Sequence, residues 1–220
     1  MVYLSRNKIY ERVEPSKDAR KIYIFCEGER TEPNYFRFFQ GFVSNLEIIP
    51  IPCANGQSAP KKLKDDAKRR FLHNKNKPPE YILDYGLKDM IWFVIDTDRW
   101  GNQIDQLKIF CRENNKNYQN WFVAQSNPCF EIWLYYHFYD IKPDQTEVEK
   151  FHTFKEFVGN KIPGGGGFDH TRMPIEIATA IKNATANFEQ QENGQPDQYS
   201  TEVFKLATII YETVKELIER

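Results

Sequence analysis

IWFVIDTDRWG, at residues 91–101, contains the strand around which the rest of the fold is predicted to form. Its first five residues are apolar, aromatic or β-branched, which is typical of a strand buried on both faces. Asp96 and Asp98 follow, and side chains two residues apart point the same way while the chain stays extended. Two such carboxylates repel each other unless a cation lies between them, and a divalent ion with oxygen ligands is the usual solution. The alternative is a polar loop whose aspartates cap a helix beginning near Gln103.

Strands and helices alternate on both sides of this stretch. The other strands are predicted at residues 21–26, 46–51 and 121–125, and the helices from Thr31, as its cap, and at residues 61–77, 103–115 and 130–139. Such alternation with short connections predicts a Rossmann-like α/β fold, with a mostly parallel sheet and helices on both faces. In such a sheet, ligands bind beyond the carboxyl ends of the strands.

After residue 140 the pattern becomes helical. Helices are predicted at residues 147–158, 174–190 and 201–219. We therefore expect a leader at 1–20, an α/β domain at 21–140 and a helical extension at 141–220 that packs on the same domain. The glycine run at residues 164–167 lacks the Gly-Lys-Ser/Thr of a phosphate-binding loop, so it is interpreted as a hinge or lid, or as a plain linker.

The composition is that of a soluble protein with one substantial core. The chain has 220 residues and a net charge of -1, so contact with nucleic acid requires a local basic patch. Its four cysteines are widely spaced, without a Cys-x-x-Cys pair, and are expected to be buried free thiols. Neither a signal peptide nor a membrane span is recognisable, and we expect a cytoplasmic protein without membrane contact.

A basic patch is predicted at residues 61–77, which carry eight Lys or Arg and two Asp. Leu63, Ala67 and Phe71 recur every fourth residue and give this helix a narrow apolar stripe. The basic side chains outside the stripe are interpreted either as contacts for a phosphate backbone or as a solvated surface. Those assigned to substrate binding are Lys61, Lys62, Lys64, Lys68 and Arg69.

Acidic residues follow three of the predicted strands. Glu27 follows the first, Asp96 and Asp98 end the third, and Glu131 lies just inside the helix after the fourth. If the first and third strands are neighbours, these carboxylates converge on a volume suited to one or two Mg²⁺ or Mn²⁺ ions. No His or Cys cluster suggests zinc. Oxygen-only ligation is typical of phosphoryl-transfer and phosphodiester-cleaving sites.

Three segments also occur in a characteristic order: CEGERTEPNYF at residues 26–36, the strand that ends in DTD, and SNPCFEIWLYYHF at residues 126–138. Together they resemble the RloB-like family, whose members look like single-domain relatives of the Toprim fold of topoisomerases, bacterial primases and some nucleases. The resemblance covers residues 21–138 with these motifs and the helical tail more loosely. It implies a Toprim-like fold for the α/β domain.

Residue by residue, the resemblance assigns metal binding to the acidic positions. The glutamate of the first motif falls on Glu27, and the aspartate pair on Asp96 and Asp98. A further acidic residue of the first turn falls on Glu32, although this chain has one residue more in that turn than the nuclease relatives. In the third motif, Glu131 is implied to bind a second metal ion or to orient a water.

The same motifs suggest residues that contact the substrate. Ser126 and Asn127 match the third motif, and Asn127 is expected to hydrogen-bond a ligand carboxylate or the scissile phosphate. Ser-Asn-Pro is also an ordinary turn before a helix. Nuclease relatives often place a lysine near the metal ions to stabilise transition-state charge. Lys161 is our candidate for that lysine, and Arg99 and Arg30 compete for the role.

These assignments predict a divalent-metal-dependent nuclease that hydrolyses phosphodiester bonds in RNA or DNA. His137 is interpreted as a packed core residue, with general base as the alternative. The resemblance further implies a role in bacterial defence against phage by abortive infection, beside an ATPase partner protein. Two other functions stay open: a metal-dependent nucleotide-binding, sensor or assembly module without turnover, and a phosphoryl-transfer enzyme acting on a small nucleotide.

Overall fold

The computed structural model describes residues 10–53, 56, 58–73, 77–97, 100–115, 118, 120–164 and 166–219. Its regular elements, in chain order, are β1 (Arg20–Cys26), α1 (Thr31–Arg37), β2 (Leu46–Pro52), α2 (Pro60–Phe71), β3 (Met90–Asp96), α3 (Asn102–Asn114), β4 (Trp121–Asn127), α4 (Glu131–Tyr135), α5 (Gln145–Val148), α6 (Phe154–Lys161), α7 (Ile177–Ala186), β5 (Ser200–Thr201) and α8 (Val203–Ile218). A 3-10 helix, Met173–Glu176, leads directly into α7. The fold is α/β with a helical C-terminal part, as predicted.

The five strands form one mixed, mostly parallel sheet in the order β2-β1-β3-β4-β5. β1 pairs in parallel with both β2 and β3, and β3 pairs in parallel with β4. β5 runs antiparallel to β4. From β1 the chain goes outward to β2 and then returns to the other side of β1 to form β3. The switch in direction therefore falls between β1 and β3, where a ligand site is expected at the carboxyl ends.

Two hydrophobic clusters cover the two faces of the sheet. On one face, α1 and the helices after β4 pack against strand residues such as Ile24 and Val94. On the other face, α2 and α3 pack against Phe25 and Phe93, whose rings stack at 5.1 Å. Because β1 and β3 supply side chains to both clusters, their inner segments, residues 22–26 and 91–95, are uninterrupted apolar runs.

The helix predicted at residues 147–158 is wrong, because two short helices take its place. Asp144 caps α5 by accepting a hydrogen bond from the Thr146 N–H at 2.7 Å. Thr153 caps α6, where its Oγ1 accepts a hydrogen bond from the Glu156 N–H at 3.1 Å. A side-chain cap in the middle of an apolar repeat starts a new helix at that point.

Other predicted helices are shorter than expected. The helix from residue 61 ends at Phe71, the one from residue 130 gives way to turns after Tyr135, and the regular part of the one from residue 174 covers only Ile177–Ala186. Thr31 is the first residue of α1 and not its cap; the N-cap is Arg30, without a side-chain hydrogen bond.

Residues 10–19 contain no helix or strand, and they lie against the end of α1. The Arg12 guanidinium donates to the Phe38 carbonyl at 2.8 Å and lies over the Phe42 ring, 4.4 Å from its centroid. The four cysteines are free and buried, which confirms that prediction. Within the described ranges, none of the helices has the length and apolar character needed to cross a bilayer.

Candidate functional site

Glu27 directly follows β1 and joins its end to that of β3. Its backbone N–H donates to the Val94 carbonyl at 3.1 Å, which continues the parallel ladder past β1. Its carboxylate accepts a hydrogen bond from the Asp96 N–H at 2.8 Å and another from the Trp100 indole N–H at 2.9 Å. Glu27 therefore links the end of β1 to the end of β3 and to Trp100.

Asp96, the last residue of β3, is buried among other acids. Its Oδ1 accepts a hydrogen bond from the Phe130 N–H at 2.8 Å, just before α4. Burial and then the charges of Glu27, Glu32 and Glu131 raise the pKa of Asp96 well above its ordinary value. Three further carboxylates from separate parts of the chain thus lie close enough to Asp96 to disfavour its ionisation.

Glu32, in the first turn of α1, is also buried. Its Oε1 accepts a hydrogen bond from the Gly28 N–H at 3.0 Å. A Cβ atom on Gly28 would lie 2.0 Å from Glu32 Oε2, so only glycine lets this carboxylate approach the backbone. Burial and the charge of Glu131 raise the pKa of Glu32, while the hydrogen bond from Gly28 opposes the shift.

Glu131 is the first residue of α4, and one of its oxygens lacks a partner. Its side chain is only 12% exposed, and its Oε1 lies 3.6 Å from Lys155 Nζ. Among the described residues, the buried Oε2 has no hydrogen-bond partner. A buried carboxylate oxygen without a partner is costly unless a water or an ion completes its coordination.

We call Glu27, Glu32, Asp96 and Glu131 the acidic cluster. Lys155, on α6, is a cation that opposes the cluster's charge. Partial burial lowers the pKa of Lys155, but Glu131 and Asp96 outweigh this effect and raise it above its ordinary value. The raised pKa values of Asp96 and Lys155 show that, among the residues that the structure describes, negative charge prevails around Asp96.

The donor chemistry of the acidic cluster fits Mg²⁺ or Mn²⁺, which take oxygen ligands and favour carboxylates. The orphaned Oε2 of Glu131 supports this fit. However, in the parts of the chain that the structure describes, no group of three His, Cys, Asp or Glu side chains is arranged to hold a metal ion. The predicted ligand Asp98 lies outside those parts, as does Arg99.

Ser126 and Asn127 lie in β4, and both bond to the C-terminal part of the chain. The Ser126 Oγ lies 2.7 Å from the Thr201 Oγ1 in the interior, and the Asn127 amide donates to the Pro196 carbonyl at 3.0 Å. The structure thus brings these two residues to the β4–β5 junction. Their predicted contact with substrate stays a prediction.

The predicted lysine, Lys161, pairs with a residue outside the acidic cluster. Lys161 ends α6, and its Nζ pairs with Glu147 Oε2 at 2.5 Å, at the opposite end of the helix from Lys155. Arg30 is exposed at the start of α1. Of the lysines on α6, Lys155 is the one paired with a member of the acidic cluster.

The basic helix α2 has the predicted apolar stripe, with Leu63, Ala67 and Phe71 buried. Its basic residues differ in their surroundings. Arg69 pairs with Asp66, and Lys68 lies over the Phe110 ring, 5.2 Å from its centroid. The side chains of α2 that are exposed include Lys61, Lys62, Lys68 and Arg69, while Lys64 is half-buried.

His137 belongs to the core. Its Nε2 lies 3.2 Å from the Tyr35 hydroxyl and its Nδ1 lies 3.0 Å from the Trp133 carbonyl. Burial lowers the pKa of His137 to about 3, so the ring is neutral at physiological pH. These contacts agree with the core interpretation of this residue.

Sequence reasoning missed two residues that complete the site, Lys155 and Trp100. Trp100 lies within the opening stretch at residues 91–101, and an indole N–H next to an acidic turn is a signal that could have been used. Nothing in the sequence around Lys155 separates it from the other lysines, because its position depends on how α6 packs.

Fold and site together define an α/β protein with a buried acidic cluster at the switch point of a mostly parallel sheet. The chain belongs to the RloB-like family, because the family model described as RloB-like protein matches residues 22–217, nearly its whole length. Comparisons with curated proteins and with solved structures gave no significant match.

Proposed function

We propose that this protein is a Mg²⁺- or Mn²⁺-dependent, Toprim-type nuclease that hydrolyses phosphodiester bonds in RNA or DNA. The observation that carries the proposal is the convergence of the acidic cluster on Asp96, whose pKa is raised well above its ordinary value by burial and by three other carboxylates. Without a cation this arrangement is electrostatically unfavourable. A catalytic cation would relieve the repulsion and would use the same carboxylates.

Glu27 and Asp96, with Asp98, would hold the principal ion, and Glu131 and Glu32 a second one. A bound Mg²⁺ or Mn²⁺ would supply a nucleophile at neutral pH and neutralise charge on the phosphate oxygens. Glu27 also has a positioning role, since it accepts hydrogen bonds from the Asp96 N–H at the end of β3 and from the Trp100 indole N–H, just before α3.

Glu131 has an unpartnered oxygen with which to act on water. We propose that Oε2 of Glu131 accepts a hydrogen bond from the attacking water and takes its proton. The water oxygen then bonds to phosphorus, the bond from phosphorus to the leaving sugar oxygen breaks, and that oxygen takes a proton from solvent. The carboxyl groups of Glu27 and Asp96 keep their hydrogen bonds throughout, so the site does not reorganise.

The exposed basic residues of α2 are proposed to contact the phosphate backbone, which favours a polymeric substrate over a small nucleotide. The family resemblance further suggests action in anti-phage defence, with an ATPase partner that holds the nuclease inactive until infection.

The test is cleavage of labelled tRNA, single-stranded DNA and duplex DNA by the purified chain, with Mn²⁺ and with chelator. We expect cleavage of at least one substrate with Mn²⁺ and none with chelator. Glu131→Gln should lower the rate at least about 100-fold, because removing one catalytic group typically has this effect. Glu212→Gln, the same change on the exposed face of α8, is the control and should cleave normally.

Two results would count against the nuclease. Cleavage that persists in chelator would contradict the metal requirement. Mn²⁺-dependent binding of a nucleotide or nucleic acid without any turnover would favour the sensor or assembly module instead.

A further inference from the structure

Lys155, on helix α6, forms an ion pair with Glu131 of the acidic cluster. Its ammonium nitrogen lies 3.6 Å from Glu131 Oε1, which is ion-pair distance but longer than a hydrogen bond. Its positive charge also lowers the pKa of Asp96 and of Glu32, against the upward effect of burial and of the other carboxylates. One monovalent cation therefore acts on three members of the cluster at once.

The backbone of Lys155 is fixed while its side chain is free to move. Thr153 caps α6, and Phe157 and Val158 bury the helix in the core that covers one face of the sheet. In contrast, the Lys155 side chain is 62% exposed, so its ammonium can leave Glu131 without displacing the helix. In the described parts of the chain this loose ion pair is the only polar contact of the Lys155 side chain, so little holds the ammonium at the cluster.

A divalent ion bound by these carboxylates would neutralise their charge in place of Lys155. It would carry twice the charge and lie within a few ångströms of the ammonium, and like charges at such distances repel. Either the ammonium or the divalent ion can therefore neutralise the acidic cluster, but the two do not bind there favourably at the same time.

We propose that Lys155 is the internal counter-ion of the acidic cluster: it neutralises the carboxylates in the cation-free protein and competes with the divalent ion for them. This rests on the cation-binding part of the proposed function. Lys155 lowers the affinity of the site for the divalent ion and keeps the buried carboxylates from destabilising the fold before the ion arrives. It is a positioning residue for the site, and it sets the cation concentration at which the site fills.

The chain contains a matched control for this proposal. Lys161 lies at the other end of the same helix and pairs with Glu147, which is outside the acidic cluster. Lys155→Gln and Lys161→Gln remove the same charge from the same helix. Lys155→Arg keeps the charge at the cluster.

The experiment is a titration of each chain with Mn²⁺, followed by the electron paramagnetic resonance signal of the free ion, together with thermal unfolding in chelator. We expect Lys155→Gln to bind Mn²⁺ about tenfold more tightly than the wild type and to unfold at a lower temperature in chelator. The difference in unfolding temperature should shrink when Mn²⁺ saturates the site. Lys161→Gln and Lys155→Arg should bind Mn²⁺ with the wild-type affinity.

Unchanged or weaker affinity in Lys155→Gln would overturn the proposal, and so would an equal gain in Lys161→Gln, which would reduce the effect to net charge. If Lys155→Gln is unfolded in chelator, refolding by Mn²⁺ supports the proposal and failure to refold overturns it. If the wild type and Lys155→Gln bind Mn²⁺ equally well, the counter-ion proposal is contradicted, while the nuclease proposal is not affected. If the wild-type chain binds no Mn²⁺, both the counter-ion proposal and the nuclease proposal are contradicted.

Discussion

Two buried aspartates lie at opposite ends of β3 and have opposite surroundings. Asp89 immediately precedes the strand and is 1% exposed, while Asp96 ends it and is 5% exposed. Both oxygens of Asp89 are satisfied by backbone donors, with the Lys21 N–H at 2.7 Å and the Asp84 N–H at 2.9 Å. Its charge also opposes the effect of burial on the pKa of Arg20. Asp89 is thus a structural carboxylate.

Asp96 accepts a backbone hydrogen bond from Phe130, but three carboxylates surround it. Burial alone therefore does not distinguish a structural from a functional acid. What distinguishes them is whether the neighbours favour or oppose the negative charge. We therefore propose that the charge of Asp96 serves the cation site, while that of Asp89 serves the fold.

The largest expected effect comes from Asp96→Asn. Asparagine keeps an acceptor for the Phe130 N–H but removes the charge, so Mn²⁺-dependent cleavage should fall at least about 100-fold. Thermal stability in chelator should be equal to or higher than that of the wild type, because one repelling charge is gone. A variant that cleaves normally, or that unfolds, would put Asp96 in the same class as Asp89.

Asp89→Asn should show the reverse pattern. One carboxylate oxygen becomes an amide nitrogen that cannot accept, and a half-buried backbone N–H loses its partner, so the free energy of unfolding should fall by about 1 kcal/mol. Below the unfolding temperature, cleavage should match that of the wild type. Urea unfolding and the cleavage assay on the same preparation check both parts.

Gly28→Ala tests the approach of Glu32 to the backbone. The added methyl group would lie 2.0 Å from Glu32 Oε2 and must displace that carboxylate, so we expect cleavage to fall about tenfold. Gly159→Ala is the control: an added Cβ meets nothing within 4 Å in α6, and helix propensity should raise stability by about 0.4–1 kcal/mol. Full activity in Gly28→Ala would mean that Glu32 has no role in the site.

His137 provides a smaller, pH-dependent effect outside the acidic cluster. Its folded-state pKa of about 3 lies below the ordinary value for histidine, so the unfolded chain takes up the proton first. The contribution of His137 to stability is complete above pH ~6.5 and is lost as pH falls towards the folded-state value, by up to about 1.4 kcal/mol per pH unit. Unfolding of His137→Phe from pH 7 to 5 should show a shallower loss than the wild type, and parallel profiles would contradict the core assignment.

The smallest effect concerns α2. Replacing Lys61 and Lys62 by Glu should weaken nucleic-acid binding and lower the slope of log affinity against log salt by about 1 for each phosphate group that the variant no longer neutralises. Lys150→Glu with Lys182→Glu, on the C-terminal part of the chain where both lysines are exposed, is the matched control. An equal change in both variants would return α2 to the solvated-surface interpretation.

The positions of Glu27 and Asp96 followed from the sequence because both lie at the ends of apolar strands, and the carboxyl ends of parallel neighbours meet at one edge. The β4–β5 junction did not follow. The predicted strand ended at residue 125, and Ser126 and Asn127 were expected to contact substrate, with a turn as the alternative. In the structure both residues extend β4, because Ser126 pairs with Asp96 of β3 and both pair with a strand of two residues about seventy positions later. Such a short strand leaves no periodic signal.

The lysine was misplaced for a related reason. The order of strands can be argued from alternation, but the packing of the C-terminal helices on the sheet depends on interactions with no sequence period. The predicted single helix at residues 147–158 is divided into α5 and α6, and α6 packs against α4 with Lys155 beside Glu131, while Lys161 pairs with Glu147. Local sequence does not distinguish the two lysines.

The central claim is that the acidic cluster binds a divalent cation through Asp96. Mn²⁺ binding measured by electron paramagnetic resonance for the wild type, Asp96→Asn and Asp89→Asn tests it most directly. We predict saturable binding by the wild type and by Asp89→Asn, and at least about tenfold weaker binding by Asp96→Asn. Absence of binding in the wild type, or equal binding by Asp96→Asn, would contradict the claim.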